Sequence, residues 1–293
     1  MSRMRLPART IVLAAFTLCL AAINLRPLVQ LVATTQSDSS ASHVLAVPLV
    51  SLALIVLNRK DIFSTVTTSN AAGLAVMLGG AGLSLAGFAR HGASALSVQV
   101  AGLVVCWIAG YVLIYGVAAA RRAAFSLAFL LFTIPPPPVV IDAATQVLKA
   151  GSSEIVAGLF SLVGTPYYRE GDVFALPGVT IEIADECSGI RSSTALLLTS
   201  LLAGHMFLSR GWSRAALVMV VLPVALLKNG IRIVSLSLLS LHVDPSFLTG
   251  QLHHEGGIVF FLLALGLMMP FLFLLRRSEE RSADVPVGYV TQV

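Results

Sequence analysis

The sequence predicts an all-α polytopic membrane protein, and three observations lead to this fold class. Of the 293 residues, 57% are hydrophobic and only 11% are charged, whereas a soluble globular domain carries about 25% charged residues. Several apolar runs approach the length of roughly 20 residues that a helix needs to cross a bilayer. The three cysteines form no CxxC pair, so neither a disulfide framework nor a zinc knuckle is indicated. This composition excludes an ordinary soluble enzyme, a disordered chain and a nucleic-acid-binding protein.

About eight apolar segments are predicted to cross the membrane. They lie at about 11–33, 43–57, 71–89, 94–120, 123–141, 187–208, 215–241 and 256–275. The first segment is interrupted by Asn24, Arg26 and Pro27. The run Pro135–Pro138 would end the fifth segment, because proline cannot continue a helix. The N-terminal apolar stretch is interpreted as a retained anchor rather than a cleaved signal peptide, since no small-residue cleavage site stands out.

The distribution of charged residues predicts the orientation of these segments. With the N-terminus inside and eight crossings, twelve Lys and Arg residues fall in cytoplasmic segments and three in outer segments. The three outer basic residues are Arg90, Lys149 and Arg169. Since Lys and Arg collect in cytoplasmic loops, both termini are expected to lie inside. The protein is therefore expected to be a multi-pass protein of the cell inner (plasma) membrane.

The longest loop, about 142–186, is predicted to lie outside the membrane. Its first part has apolar residues at helical spacing, as in Val147, Leu148 and Ile155, which predicts an interfacial amphipathic helix. Its second part alternates apolar residues around Pro177-Gly178, which indicates a small β-hairpin. This hairpin leads directly to Cys187, which suggests a lid or a substrate groove.

Cys187 is expected to open the sixth span on the outer side. A thiolate at a helix N-terminus is stabilised by the positive end of the helix dipole. Arg191, one turn further on, would add a second positive charge on the same face. The neighbouring Asp185 and Glu186 act in the opposite direction, so the sequence does not decide how reactive this thiol is.

Three residue types that can carry acyl-transfer chemistry are predicted at one membrane depth. Arg232 lies about 26 Å into a layer of about 30 Å, close to the outer surface, and Lys228 lies one turn deeper. His253 and His254 precede the eighth span on the same side. A thiol nucleophile needs a base and a group that stabilises an anion. Together with Cys187, these residues predict a cysteine-dependent acyl-transfer site.

The sequence around these residues resembles the exosortase/archaeosortase family, membrane-embedded cysteine transpeptidases of prokaryotes. The run LPGVTIEIADECSGIRSS contains Cys187, and KNGIRIV holds an Asn-x-x-Arg pattern from Asn229 to Arg232. The run HHEGGIVFF is similar to the bacterial branch, which has His where the archaeal branch has Arg. The resemblance covers roughly residues 130–275.

The resemblance implies a protein-sorting enzyme in the lipid bilayer. Its substrates would be exported proteins with a C-terminal tail that comprises a PEP-CTERM-like proline-containing motif, a hydrophobic helix and a basic cluster. The enzyme would cleave near the motif at the extracytoplasmic face through a thioester, which an amine or water would resolve. In the family, this activity accompanies exopolysaccharide production. No cofactor, metal or nucleic-acid partner is implied.

The resemblance also implies a set of site residues and a division of the chain. The catalytic candidates are Cys187, Arg232, His253 and His254, and which histidine acts is open. The substrate-binding candidates are Ser188, Arg191 and Asn229, although helix-helix hydrogen bonding would explain these three equally well. A single membrane domain over 1–293 would comprise N-terminal spans (1–125), an exosortase-like catalytic core (130–275) and a cytoplasmic tail (276–293).

Three other classes of function stay open on the sequence alone. A transporter or channel subunit would use Lys228 and Arg232 to line an anion path, but the two halves show no inverted repeat. A metal-dependent membrane hydrolase lacks an HExxH-like pair. Its candidate ligands would be His242, His253, His254 and Glu255. A structural assembly partner with a degenerate site is the third alternative.

Overall fold

The computed structural model describes residues 6–37, 43–64, 66, 70–92, 94–248 and 257–283. Helices make up most of this chain, together with one small antiparallel sheet. Contacts within the chain define two compact units, Met1–Ile141 and Asp142–Val293. Each unit is described by itself below.

The first unit consists of helices alone in its described part. Its helices are α1 (Leu6–Ile23), α2 (Leu25–Ser37), α3 (Ala46–Leu57), α4 (Arg59–Ile62), α5 (Asn70–Ala89), α6 (Ala95–Arg122) and α7 (Ala124–Phe129), followed by a 3₁₀ turn at Leu130–Thr133.

The second unit combines helices with the sheet. Its elements are α8 (Pro138–Val163, which starts just before the boundary), β1 (Tyr168–Glu170), β2 (Val173–Leu176), β3 (Val179–Glu182), a 3₁₀ turn at Asp185–Cys187, α9 (Ile190–Phe207), α10 (Gly211–His242), a 3₁₀ turn at Pro245–Leu248 and α11 (Gly257–Ala283).

The helices are those of a polytopic membrane protein. Four segments in the described residues are long and apolar enough to cross a bilayer, namely Ala71–Ala89, Ala95–Arg122, Gly211–His242 and Gly257–Arg281. The number rises to six if each of two bent pairs is one span. These pairs are Pro7–Ile23 with Leu25–Thr35, and Ala124–Thr133 with Pro138–Val163. The coarse fold class is thus confirmed, whereas a count of eight spans is not.

The differences from the predicted spans have local causes. The first predicted span bends by 79° where the helix is interrupted at Asn24. The second is a helix of only 12 residues, α3. The sixth corresponds to α9, whose first turn is polar. There the Thr194 hydroxyl donates to the Ile190 carbonyl at 3.0 Å. The eighth corresponds to α11, which extends from Gly257 to Ala283.

Glycines bring α5 and α6 into close contact. A Cβ on Gly80 would lie 2.7 Å from the Cys106 backbone nitrogen, and a Cβ on Gly87 would lie 2.7 Å from that of Gln99. Gly73, seven residues before Gly80, likewise faces α6. Small residues at such intervals let the backbones of membrane helices approach each other. This stripe fixes the α5–α6 pair.

A buried arginine connects α1 to an interruption in α6. Gly116 has φ 89° and ψ 168° inside α6, so the helical hydrogen-bond pattern is broken there. The Arg9 guanidinium, only 7% exposed, donates from Nη1 to the Ile114 carbonyl at 2.6 Å. Thr10 Oγ1 lies 3.2 Å from the Tyr115 hydroxyl oxygen. Two polar contacts therefore join α1 to this part of α6.

The sheet of the second unit has the order β1-β2-β3, with both pairs antiparallel. The predicted hairpin is confirmed: β2 and β3 flank Pro177-Gly178, where Gly178 has φ 91°, a conformation that suits glycine. β1 is a third strand that the sequence pattern did not predict.

The glycine stripe gives a test of the packing in the first unit. Gly80→Ala is expected to lower the free energy of unfolding by about 1–3 kcal/mol, because the new methyl group meets backbone atoms of α6. Gly79→Ala is the matched control, since a Cβ at Gly79 has nothing within 4 Å. Thermal unfolding in detergent measures both variants. Equal stability of the two variants would contradict the assigned contact.

Candidate active site around Cys187

Cys187 lies at the end of the 3₁₀ turn that connects the sheet to α9. Its N–H donates to the Ala184 carbonyl at 2.9 Å, and the Ser188 N–H donates to the Asp185 carbonyl at 3.1 Å. Gly189 then adopts φ 78°, and α9 begins at Ile190. The predicted helix start at residue 187 is therefore wrong by three residues, because the left-handed conformation of Gly189 separates the two helical segments.

The Asn229 side chain holds the backbone of the cysteine. Its Nδ2 donates to the Cys187 carbonyl at 2.9 Å and to Ser152 Oγ at 3.0 Å. Asn229 is 1% exposed and Ser152 is fully buried. Buried amide hydrogen bonds are costly to break, because the freed groups meet no water. One side chain of α10 thus connects α8 to the turn that carries Cys187.

A second link joins α10 to the first turn of α9. Lys228, only 2% exposed, donates from Nζ to the Ser192 hydroxyl. The Ser192 hydroxyl donates in turn to the Gly189 carbonyl at 3.0 Å, which also accepts from the Ser193 hydroxyl at 2.9 Å. Lys228 and Asn229 therefore hold the two ends of the Cys187–Gly189 segment.

Two glycines allow the close approach of α8 and α10 on which the Asn229 contact depends. A Cβ on Gly230 would collide with the Ile155 side chain, and a Cβ on Gly151 would lie 2.8 Å from Leu226 Cδ1. Each glycine directly neighbours one partner of the Asn229–Ser152 hydrogen bond in sequence. Because neither glycine carries a Cβ, the two helices approach closely enough for an amide-hydroxyl contact.

The Cys187 side chain is partly buried at the margin of an apolar cluster. The cluster is formed by α8, the sheet and α10, and its buried members are Val156, Phe160, Phe174, Leu176, Ile181, Ile183 and Val234. By contrast, Cys106 is buried and Cys19 is exposed on α1. Cys187 is the one of the three cysteines that is partly exposed, and it is also the one whose carbonyl accepts the Asn229 hydrogen bond.

Ion pairs fasten the sheet and the turn to α8. Lys149 Nζ lies 3.3 Å from Asp185 and 3.5 Å from Asp172, and the Ser153 hydroxyl donates to Asp172 at 2.7 Å. Arg169 of β1 pairs with Glu154 at 2.8 Å, and the hydrogen bond to Glu154 raises the pKa of the Arg169 guanidinium.

These charged contacts act together with the apolar cluster. The sheet is packed through Phe174 and Ile181. Ion pairs connect it to α8 at Arg169 of β1 and at Asp172 of the β1–β2 turn, and Asp185 connects the following 3₁₀ turn. The sheet therefore forms a fixed platform beside Cys187, which suits the predicted substrate groove better than the predicted lid.

The structure places some of the predicted site residues around the turn. Ser188 is 1% exposed within the turn, and the Asn229 side chain donates a hydrogen bond to the carbonyl of the preceding residue, Cys187. Arg232 is partly buried on α10, three residues after Asn229 and thus on a neighbouring part of the same face. Arg191 is exposed in the first turn of α9.

The two predicted histidines, His253 and His254, lie outside the described residues. Ser152 and Ser192, which join the helices to the turn, were not predicted. The small-residue run Gly151-Ser152-Ser153 in α8 is the signal that could have indicated a close polar contact with another helix.

A comparison with family models places the chain in a known family. The model of the transmembrane exosortases matches residues 35–270, which is well over half of the sequence. The chain belongs to the transmembrane exosortase family. No curated protein and no solved structure matches it. The exosortase match includes both units and contains the Cys187 turn, Asn229 and Arg232.

The residues of the alternative metal and anion sites are described only in part. No group of three or more His, Cys, Asp or Glu side chains in the part of the chain that the structure describes could hold a metal ion. Of the ligands considered for a metal site, His242 is exposed at the end of α10, whereas His253, His254 and Glu255 lie outside the described residues. Lys228 is buried and bonded to Ser192, so it does not line an open anion path.

The turn geometry predicts an effect of adding one methyl group. Gly189→Ala is expected to lower the free energy of unfolding by about 1–2 kcal/mol, because a left-handed backbone disfavours a Cβ. That Cβ would also lie 3.0 Å from Asn229 Oδ1. Gly158→Ala, in α8 with nothing within 4 Å, is the control and should not destabilise. Denaturant unfolding in detergent measures both variants. An equal free energy of unfolding for the two variants would contradict the assigned turn.

Proposed function

We propose that this exosortase-family chain is a membrane-embedded cysteine peptidase or transpeptidase that cleaves the C-terminal sorting tail of exported proteins. The observation that carries the proposal is the Asn229 hydrogen bond to the Cys187 carbonyl. It fixes the backbone of a partly exposed cysteine beside the helix that carries Arg232. The family match and the similarity of the LPGVTIEIADECSGIRSS run support the same function.

In the proposed reaction, the Cys187 sulfur forms a bond to the scissile carbonyl carbon. His253 or His254 takes the thiol proton, and Arg232 stabilises the negative charge that develops on the carbonyl oxygen. When the tetrahedral intermediate collapses, the C–N bond breaks and the histidine returns the proton to the leaving amine. The product is a thioester between Cys187 and the body of the substrate.

The second half of the reaction regenerates the thiol. An amine of an acceptor, or a water molecule, attacks the thioester carbonyl and loses a proton to the same histidine. The C–S bond then breaks, and the proton passes to the Cys187 sulfur. An amine acceptor gives transpeptidation, whereas water gives hydrolysis. Arg191, which is exposed in the first turn of α9, is proposed to bind the substrate near this centre, whereas the burial of Ser188 favours a structural role for its side chain.

The positions of Asn229 and Lys228 give them a supporting role in this mechanism. Neither residue needs to contact the substrate, because both hold the segment from Cys187 to Gly189. A nucleophile that is misplaced by about 1 Å loses on the order of 100-fold in rate. We therefore assign Asn229 and Lys228 as positioning residues of the Cys187 turn.

We propose that the protein lies in the inner (plasma) membrane of the cell. Its eight spans would leave both termini in the cytoplasm. The excess of basic residues in the inner segments supports it. In this arrangement Cys187 lies at the extracytoplasmic face, and α8 lies along the interface. A substrate tail whose basic cluster stays inside would then present its sorting motif at the depth of Cys187.

Replacing the nucleophile tests the proposal directly. Cys187→Ala is expected to leave an exported reporter uncleaved when that reporter ends in a proline-containing motif, an apolar helix and a basic cluster. Cys19→Ser is the control, because it removes an exposed thiol of α1 in the first unit, and it should retain processing. Immunoblots of membrane fractions measure the full-length reporter. Normal processing by the Cys187→Ala variant would refute the function.

Inhibitors provide an independent check of the reaction class. Iodoacetamide is expected to abolish processing by the wild-type protein, because alkylation removes the nucleophile. EDTA is expected to leave processing unchanged. Loss of activity with EDTA would instead indicate a metal-dependent hydrolase.

The positioning role of Asn229 predicts a specific kinetic effect. Asn229→Ala is expected to lower kcat about 10- to 100-fold with a smaller change in KM, since a lost buried hydrogen bond is worth about 1–3 kcal/mol. The rate of Cys187 alkylation by a small maleimide should change as well. Asn58→Ala, which removes an amide that donates to the Leu54 carbonyl one turn earlier in the chain, is the control. An unchanged kcat in Asn229→Ala would contradict this role.

A further inference from the structure

The hydrogen-bond pattern of the hairpin determines which backbone groups of β3 face β2. The Ile183 N–H donates to the Asp172 carbonyl at 3.0 Å, in the same register that pairs Ile181 with Phe174. In an antiparallel pair, hydrogen-bonded and non-hydrogen-bonded residue pairs alternate along the strands. Ile181 therefore directs its N–H and C=O toward β2, as Ile183 does.

Thr180 and Glu182 direct their N–H and C=O groups to the other side of β3. The side chains of both residues are exposed. Within the part of the chain that the structure describes, β3 pairs with β2 alone. Such an edge presents backbone donors and acceptors to any extended chain that lies alongside it.

The opposite edge of the sheet is a poorer template. β1 has three residues, and by the same alternation only Arg169 directs its backbone outward. The Arg169 side chain donates from Nε to the Gly171 carbonyl at 2.8 Å and pairs with Glu154. Short strands with engaged charged residues are a common way of protecting an edge. The outer edge of β3 is thus more accessible to an added strand than the outer edge of β1.

The open edge leads directly to the candidate nucleophile. From Glu182 the chain continues through Ile183 and Ala184, which has φ −68° and ψ 165°, into the turn that ends at Cys187. Two extended residues and three residues of 3₁₀ turn give about 13 Å of chain. This is the length of about four residues of a neighbouring strand.

We propose that the outer edge of β3 binds the substrate as an added strand, whose scissile carbonyl then lies at Cys187. This inference rests on the proposed peptidase function and names its mode of substrate recognition. The occupant is an extended peptide, because a peptidase must hold the chain on both sides of the bond that it cleaves. Main-chain hydrogen bonds to Thr180 and Glu182 supply affinity, and alternate side chains supply specificity.

The rigidity of the sheet supports this mode of binding. The sheet is fastened to α8 by the contacts of Lys149 and Arg169, and its inner face is buried against Phe160. An added strand therefore meets a preformed edge and needs no rearrangement of the sheet. Preformed sites lose less conformational entropy when they bind.

Proline substitutions at the outward positions test the proposal. Thr180→Pro and Glu182→Pro each remove an outward N–H without removing a bond to β2, and edge strands tolerate proline at such positions. Each variant is expected to process the tailed reporter at least about tenfold more slowly, since one backbone bond accounts for about three- to tenfold and the ring blocks the approach. Thr180→Ala and Glu182→Ala remove the same side chains but keep the N–H. Their losses should be at least about fivefold smaller than those of the proline variants.

The outcomes separate this inference from the proposed function. If both proline variants process the reporter at the wild-type rate while Cys187→Ala does not, the edge is not the binding site and the peptidase function stands. If Cys187→Ala processes the reporter, the function itself is wrong. Equal losses in the proline and alanine variants would show that side chains, not the backbone edge, bind the substrate.

Cross-linking provides a second measurement that does not depend on proline. In a Cys187→Ala background, Thr180→Cys is combined with single cysteines along the reporter motif. An added strand predicts disulfide formation that alternates between strong and weak with a period of two residues. Absence of cross-links, or equal yields at consecutive positions, would overturn the proposal even if the proline variants fail to fold.

Discussion

The candidate site depends on one buried hydrogen bond, from the Asn229 amide to the Cys187 carbonyl. The same amide donates a hydrogen bond to the Ser152 hydroxyl, so a single side chain holds α8, α10 and the turn at one point. In an apolar interior, neither partner has water as an alternative. Separating these elements would therefore leave several polar groups without partners at once.

The bond is possible because the residues beside it are small. Gly151 precedes Ser152 and Gly230 follows Asn229, and side chains of the opposite helix occupy the space that a Cβ would need at each. The first unit also packs two helices through small residues, since glycines of α5 face the backbone of α6. In both units, helix packing through small residues replaces the hydrophobic driving force that lipid does not supply.

Hydropathy and turn chemistry predicted the elements whose signals are local. The long apolar helices and the hairpin at Pro177-Gly178 follow from run length and alternation. The predicted start of α9 at residue 187 was wrong, because the left-handed conformation of Gly189 separates the 3₁₀ turn from α9 and the apolar pattern does not show it. Ser152 and the Lys228–Ser192 link were missed because they depend on contacts between distant segments, which no local pattern encodes. Cys187, Asn229 and Arg232 were found through motifs, and their roles stay predictions.

The contact between Arg9 and the Ile114 carbonyl has a consequence for the handling of the protein. The first helix supplies a charged donor to the interior of its unit at the point where Gly116 interrupts α6. A shortened version that lacks this helix would lose both the donor and the apolar surface around it. Expression designs for this protein should therefore leave the first helix intact.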